Sequence, residues 1–362
     1  MSVHINERFL VSPFLAFFII HSIQFGLGYL SFQRGLVQIA GQDAWVAVLI
    51  TGISFHIIIW MMYQILDTYQ GDLVYIHRKL LGKWMGGLLS IFFIVYLLLL
   101  GSTVLRIFIE LVQVWVFPEL KTWVLGLVLL ALAYYIVSGG FRVIVGVCFF
   151  SLLNYILFSI YALFTKDFHF SNLTPILQHS IIDIVKSTKH MAFSYLGVEI
   201  LLMCYPFIKT PNKSKKWVYF ANIATTILYL ITVILTLAFC TQKQIIKEIW
   251  PTLAFFRFVQ LPAVERFEFI GISFQILRVF PILSLSLWAA SRATKLLFTV
   301  KQYAVIPVFL LTIFIIICLL SDHRSIETIS SFVSTAGLYL VYIYIPFLYI
   351  LHIFRKKVGS LT

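Results

Sequence analysis

The chain has 362 residues, of which 61% are hydrophobic and only 11% charged, with a formal net charge of +13. A soluble domain carries roughly 25% charged residues. A soluble fold of this length is therefore excluded, whereas a bilayer-embedded one can leave its apolar surface against lipid. The 35 phenylalanines and 18 tyrosines suit lipid contact and interfacial belts.

Ten spans are predicted, each close to the roughly 20 residues a helix needs to cross about 30 Å. The first, 9–33, has no Asp, Glu, Lys or Arg and no small-residue cleavage site after it, so it reads as a retained helix. It carries His21, a polar gap-filler, and the mid-span run Phe25-Gly26-Leu27-Gly28. The second covers 44–66, with His56 as a second gap-filler, and the third covers 84–105. Arg106 and Glu110, just beyond, are spaced i, i+4 and predict a local ion pair. The fourth, 122–141, and fifth, 143–165, are separated by a very short turn at Gly139, Gly140 and Arg142. The sixth, 190–208, holds Tyr195-Leu196-Gly197-Val198-Glu199. The seventh is 217–242, the eighth 269–291 around Arg278, the ninth 302–321 and the tenth 328–354.

The polar stretches near 166–189 and 243–268 are too short for independent domains. The amphipathic residues from Thr252 to Val259 predict a short surface helix before Pro262. Cys148, Cys204, Cys240 and Cys318 stand singly in apolar segments, so neither a disulfide framework nor a metal site is expected. No Ser–His–Asp set, phosphate loop or zinc-protease motif is present. Enzymatic activity and a cofactor are accordingly not expected.

Lys and Arg in short loops set the orientation. With both termini in the cytoplasm, fifteen basic residues fall inside and ten outside; the acids divide three and nine, so net +12 faces net +1. The positive charge is thus a topology signal and does not point to nucleic acid.

Ten spans divide into five and five, and an odd number per half gives the halves opposite orientations, as in inverted-repeat transporters. Residues 1–165 form the first repeat and 190–354 the second, in one integral membrane domain. In that architecture the first helix of each half is unwound near the midplane. The glycine breaks of the first and sixth spans occupy those positions. Glycine costs roughly 1 kcal/mol more than alanine in a helix and lets the backbone leave it. The freed N–H and C=O groups can be met by the carboxylate and ammonium of an amino acid.

An intramembrane acid costs a few kcal/mol unless paired or hydrated. Arg278, at similar depth, is therefore the expected ion-pair partner of Glu199. Without that pair, Glu199 would be hydrated from the pocket or bonded to the unwound backbone beside Gly197. The candidate ligand site comprises Phe25, Gly26, Leu27, Gly28, Leu98, Tyr195, Leu196, Gly197, Glu199 and Ser284. Its uncharged lining by Leu27, Leu98, Leu196 and Ser284 suits a small apolar amino acid.

The chain resembles the endospore germination permeases, the B subunits of nutrient germinant receptors, within the amino acid–polyamine–organocation transporter superfamily. The resemblance covers essentially the whole chain. It rests on Gly26-x-Gly28, Asp43-Ala44-Trp45, Leu81-Gly82-Lys83-Trp84-x-Gly86 and Phe193-Ser194-x-x-Gly197-x-Glu199. It extends to Leu261-Pro262-Ala263-Val264-Glu265-Arg266-Phe267-Glu268. Phe117-Pro118-Glu119-Leu120-Lys121 is poorer in proline than the family's linker, and Gly139-Gly140-Phe141-Arg142 lacks the family's acid. The resemblance implies a LeuT-like fold, a small-nutrient pocket at the two breaks and residence in the spore inner membrane. It also implies assembly with a larger A subunit and a lipoprotein C subunit. Three functions share this pocket: a germinant-sensing receptor subunit, which is favoured, a proton-coupled amino acid permease, and a structural subunit with a vestigial pocket.

Overall fold

Long runs of Leu, Ile, Val and Phe without helix breakers leave the backbone one way to satisfy its polar groups in hydrocarbon, the α-helix. The computed structural model describes residues 5–164, 167–258 and 266–359. Leu261-Pro262-Ala263-Val264-Glu265, Val259 and both chain ends lie outside them. The helices are α1 (Ala16–Gln24), α2 (Phe32–Ala40), α3 (Ala44–Tyr69), α4 (Leu73–Trp115), α5 (Thr122–Ser138), α6 (Phe141–Phe150), α7 (Ile181–Ser194) and α8 (Leu201–Cys204). There follow α9 (Lys215–Phe239), α10 (Gln242–Lys247), α11 (Pro251–Arg257), α12 (Phe267–Phe274), α13 (Ile276–Phe298), α14 (Gln302–Leu319), α15 (His323–Tyr339) and α16 (Ile345–Gly359). Among the described residues the only extended pairing is an isolated bridge between Val11 and Ile208.

This is a polytopic α-helical membrane protein. Six helical stretches are long and apolar enough to cross a bilayer, and α7 with Val198–Phe207 makes a seventh if a pair bent by 47° is one span. Shorter apolar helices cover Pro13–Gln24, Thr122–Ser138 and Phe141–Leu157. The length-based count differs from the ten predicted windows because several helices are interrupted. The expected first span is cut after Gln24, and its second part runs on to Ala40. Helix α4 is kinked at Gly82. Between α5 and α6, Gly140 adopts φ +85°, so the expected short turn is a sharp break between two helices that only glycine makes at low cost. The stretch from Thr252 forms α11, but Pro251 to Phe256 are buried, so the expected surface helix is instead packed against its neighbours.

Helices α13 and α4 pack along each other at the centre, α9 lies against α1 and α3, and α2 lies against α7. The apolar window of Phe267–Phe298 is 72% buried, against 22% for Gln302–Leu319 and 28% for His323–Lys356. The last two stretches therefore turn most of their apolar surface outward. Polar side chains bind helices where lipid offers no competing partner. Asn222 of α9 donates to Gly52 O of α3 at 2.9 Å, and His21 of α1 shares a 2.7 Å hydrogen bond with Thr225 of α9.

One end of the molecule is strapped shut. Val11 N donates to Phe207 O and Lys209 N to Val11 O, both at 2.8 Å. Arg142 Nε donates to Leu10 O at 2.9 Å. The Lys209 ammonium, 2.6 Å from the Glu7 carboxylate, hydrogen-bonds it and holds that exposed carboxyl below its ordinary pKa. Beneath this strap Phe141, Phe207 and Trp288 form a ring cluster, with centroids 4.5–5.1 Å apart. At the opposite end, the buried carboxylate of Asp43 takes the backbone N–H groups of Leu177, Gln178 and His179 at 2.6, 2.8 and 3.0 Å. That single acid ties the loop before α7 to the start of α3.

Candidate functional site at two broken helices

Two helices are interrupted inside the bundle. Helix α1 stops at Gln24, Phe25 takes φ −97° and ψ 55°, Gly26 is extended, and a 3-10 turn over Leu27–Leu30 leads into α2. Helix α7 stops at Ser194, and the chain re-enters a 3-10 turn over Val198–Ile200 before α8. Gly197 stands at φ +108°, where L side chains rarely fit, and a Cβ there would lie 2.6 Å from Ile23 Cγ1. The second break is thus packed directly on α1. Each break presents a helix C-terminus with unused carbonyls and a helix N-terminus with unused amides, the negative and positive ends of two macrodipoles.

Buried side chains satisfy three of these four poles. Arg278 of α13 donates from Nη1 to Phe25 O at 2.6 Å, and its guanidinium carbon lies 4.4 and 4.2 Å from the ring centroids of Phe25 and Tyr29. The Tyr229 hydroxyl of α9 donates to Gln24 O at 2.9 Å and to Ser194 O at 3.1 Å, one proton holding the carbonyl ends of both breaks. At the second break, Gly197 N donates to Glu199 Oε2 at 2.9 Å. Tyr96 of α4 donates to Glu199 Oε1 at 2.5 Å.

The expected Glu199–Arg278 ion pair is therefore corrected. Among the described residues the two are not paired; the cation serves the carbonyl end of the first break and the acid the amide end of the second. Each charge sits against the helix pole of opposite sign, which is a local way to hold an ion in a medium without water. Arg106 and Glu110 do not pair either. Arg106 Nε donates to Leu320 O at 2.7 Å, and Glu110 lies 2.7 Å from the His323 ring.

The remaining one, the amide end of the first break, borders a cavity of about 480 Å3. Gly26, Leu27 and Gly28 of the first break line it, as do Phe193, Ser194 and Leu196 of the second. The cavity extends towards Arg34 and the exposed His323 and Glu327, away from the strapped end. Leu27 and Gly28 open a helical turn, so their N–H groups have no partner within it. The amide end of the first break and residues of the second therefore border one space of small-molecule size.

A family model described as spore germination protein, the spore permeases, matches residues 10–326. The chain belongs to the spore germination permeases. It is similar to spore germination protein GerQB of Bacillus cereus, 41% identical over 350 residues that make up 96% of this chain and 97% of the relative. Spore germination protein YndE of Bacillus subtilis (strain 168) is 25% identical over 328 residues, 89% of this chain and 90% of the relative. Spore germination protein A2 of the same strain is 24% identical over 264 residues, 71% and 72% of the two chains.

In this permease-family chain, Gly26, Leu27, Gly28 and Leu196 line the cavity, while Phe25, Tyr195, Gly197 and Glu199 build the frame behind it. Leu98 and Ser284 are buried but do not line it; α4 presents Leu100 and Thr103, and α13 presents Ile282. Position along a span gives depth, but a displacement of two residues turns a helical side chain by roughly 200°. Tyr96 and Tyr229 were missed by sequence reasoning. A phenol in mid-span needs a hydrogen-bond partner, and that signal could have flagged both. Tyr229→Phe should leave two carbonyls without their donor and cost about 1–3 kcal/mol. The expected result is a lower thermal unfolding midpoint in detergent, with membrane insertion unchanged.

Proposed function

We propose that this protein is the nutrient-sensing membrane subunit of a spore germination receptor, binding an amino acid between the two breaks. One observation carries the reading: residues of both breaks line one cavity of small-molecule size, and the amide end of the first break, at Leu27 and Gly28, faces it. Those amides suit the carboxylate of an amino acid, while Arg278, Tyr229, Tyr96 and Glu199 already occupy the other poles. Ten crossings in two oppositely oriented five-helix repeats, 1–165 and 190–354, with a LeuT-like arrangement, are supported by the placement of both breaks in the first helix of each half. Both termini then lie in the cytoplasm and the cavity faces outward. Residence in the spore inner membrane, and signalling through A and C subunits without chemistry of its own, follow from the resemblance.

The decisive comparison is germination of spores lacking this chain, triggered by single amino acids, alongside uptake of the same labelled amino acids by the chain alone. Loss of germination without uptake is the expected result. Uptake coupled to a proton gradient would favour the alternative, a proton-coupled permease, for which the buried Tyr96–Glu199 contact is the supporting feature. Topology gives an independent check: tags at Ser2 and Thr362 should report cytoplasmic and a tag within 169–180 outside.

A further inference from the structure

Thr103, on α4, lines the cavity but is only 4% exposed, and its hydroxyl has no hydrogen-bond partner. A hydroxyl on a helix normally avoids this by bonding the carbonyl four residues back. Thr51, Thr225, Thr226, Thr232 and Thr236 all do so, at 2.7–2.9 Å. The neighbouring Ser102 does so as well, at 2.8 Å from Leu98 O. Thr103 departs from that habit at the one place on α4 where Leu100, Val104 and Ile107 otherwise make an apolar wall. Serines at the cavity surface, Ser31, Ser194, Ser330 and Ser334, are half-buried and can bond water. The Thr103 hydroxyl is cut off from both water and protein. Threonine in a helix has two χ1 wells open to it, so a rotor step can turn the hydroxyl to whatever occupies the cavity.

We infer that Thr103 determines specificity, and that the ligand is an amino acid whose side chain ends in a hydroxyl or amide. This replaces the small apolar ligand expected from the sequence, and it rests on the amino-acid reading of the cavity given above. The physical basis is an asymmetry. A matching side chain satisfies a buried group that is otherwise unpaired, whereas a methyl group of similar size leaves it unpaired and is rejected.

The test is equilibrium binding to the full chain in lipid nanodiscs, with L-serine, L-threonine and L-asparagine set against L-alanine and L-valine. The wild type should prefer the first group. Thr103→Val should weaken that group by roughly 10- to 100-fold while changing alanine and valine little. Thr103→Ser should restore the preference, which separates the hydroxyl from packing. Equal preference in the wild type, or an unchanged preference in Thr103→Val, would overturn the assignment and leave the amino-acid site standing. Failure of the wild type to bind any of the five would instead overturn the amino-acid reading, and this inference with it.

Discussion

Arg278→Gln should abolish ligand binding and lower the folded yield, because the carbonyl end of the first break then loses its charged donor. A hydrogen bond to a charged group is worth about 1.5–3 kcal/mol, and a desolvated cation over aromatic rings adds about 2 kcal/mol. A combined loss of about 3.5–5 kcal/mol corresponds to roughly 300- to 4,000-fold in the population of the binding-competent break. Glu199→Gln should cost less, since a glutamine carbonyl can still accept from Tyr96 or Gly197. The two charges serve different breaks, so Arg278→Gln with Glu199→Gln should be no better than Arg278→Gln, with the effects adding. Recovery in the double mutant, measured as monodisperse yield and as ligand affinity, would show that the charges act as a pair after all.

Gly197→Leu is expected to be at least as severe, for a different reason. The backbone there is left-handed, which costs an L residue roughly 1–2 kcal/mol before any contact is counted. The added Cβ would also meet Ile23 Cγ1 at 2.6 Å, with Cδ1 and Cγ2 of the same side chain at 3.0 and 3.1 Å, so no single rotation of Ile23 clears it. Gly26 offers the contrast. Its φ is −84°, and a Cβ there would meet chiefly the tip of Ile282, at Cδ1, 2.5 Å away. Gly26→Ala should therefore keep the fold and a weakened ligand response, whereas Gly197→Ala should lose both. Thermal unfolding in detergent and ligand binding, measured side by side, separate the two. Equal tolerance at both positions would remove the geometric account of the second break.

The broken helices were legible because glycine in an apolar span is a backbone signal, and Gly26, Gly28 and Gly197 lie within a few residues of each interruption. The depth of Glu199 and Arg278 was legible for the same reason: charge in hydrocarbon is conspicuous. Their partners were not. Equal depth suggested an ion pair, but which way each side chain points depends on helix rotation and on which helices are neighbours, and a one-dimensional pattern carries neither. Leu98 and Ser284 failed on rotation; Tyr96 and Tyr229 were overlooked because an uncharged ring does not interrupt a hydrophobic window. The expected Arg106–Glu110 pair followed from helical spacing, yet the bundle offered each residue a partner on the segment from Leu320 to His323.

The Asp43 contact carries a consequence for sequence drift. The carboxylate grips the loop through three main-chain amides, and main-chain amides are the same whatever the side chain. Position 178 can therefore exchange widely among relatives without loosening the loop, with proline excluded because it has no N–H to give, whereas position 177, at φ +58°, favours residues that tolerate the left-handed region. His179 is more constrained, since its ring nitrogen also reaches the same carboxylate at 3.0 Å. Across the family the signature of this attachment should be a fixed aspartate at the start of α3 facing a loop of shifting composition. Asparagine at that position would be a poor substitute, because it replaces one accepting oxygen with a donor aimed at other donors.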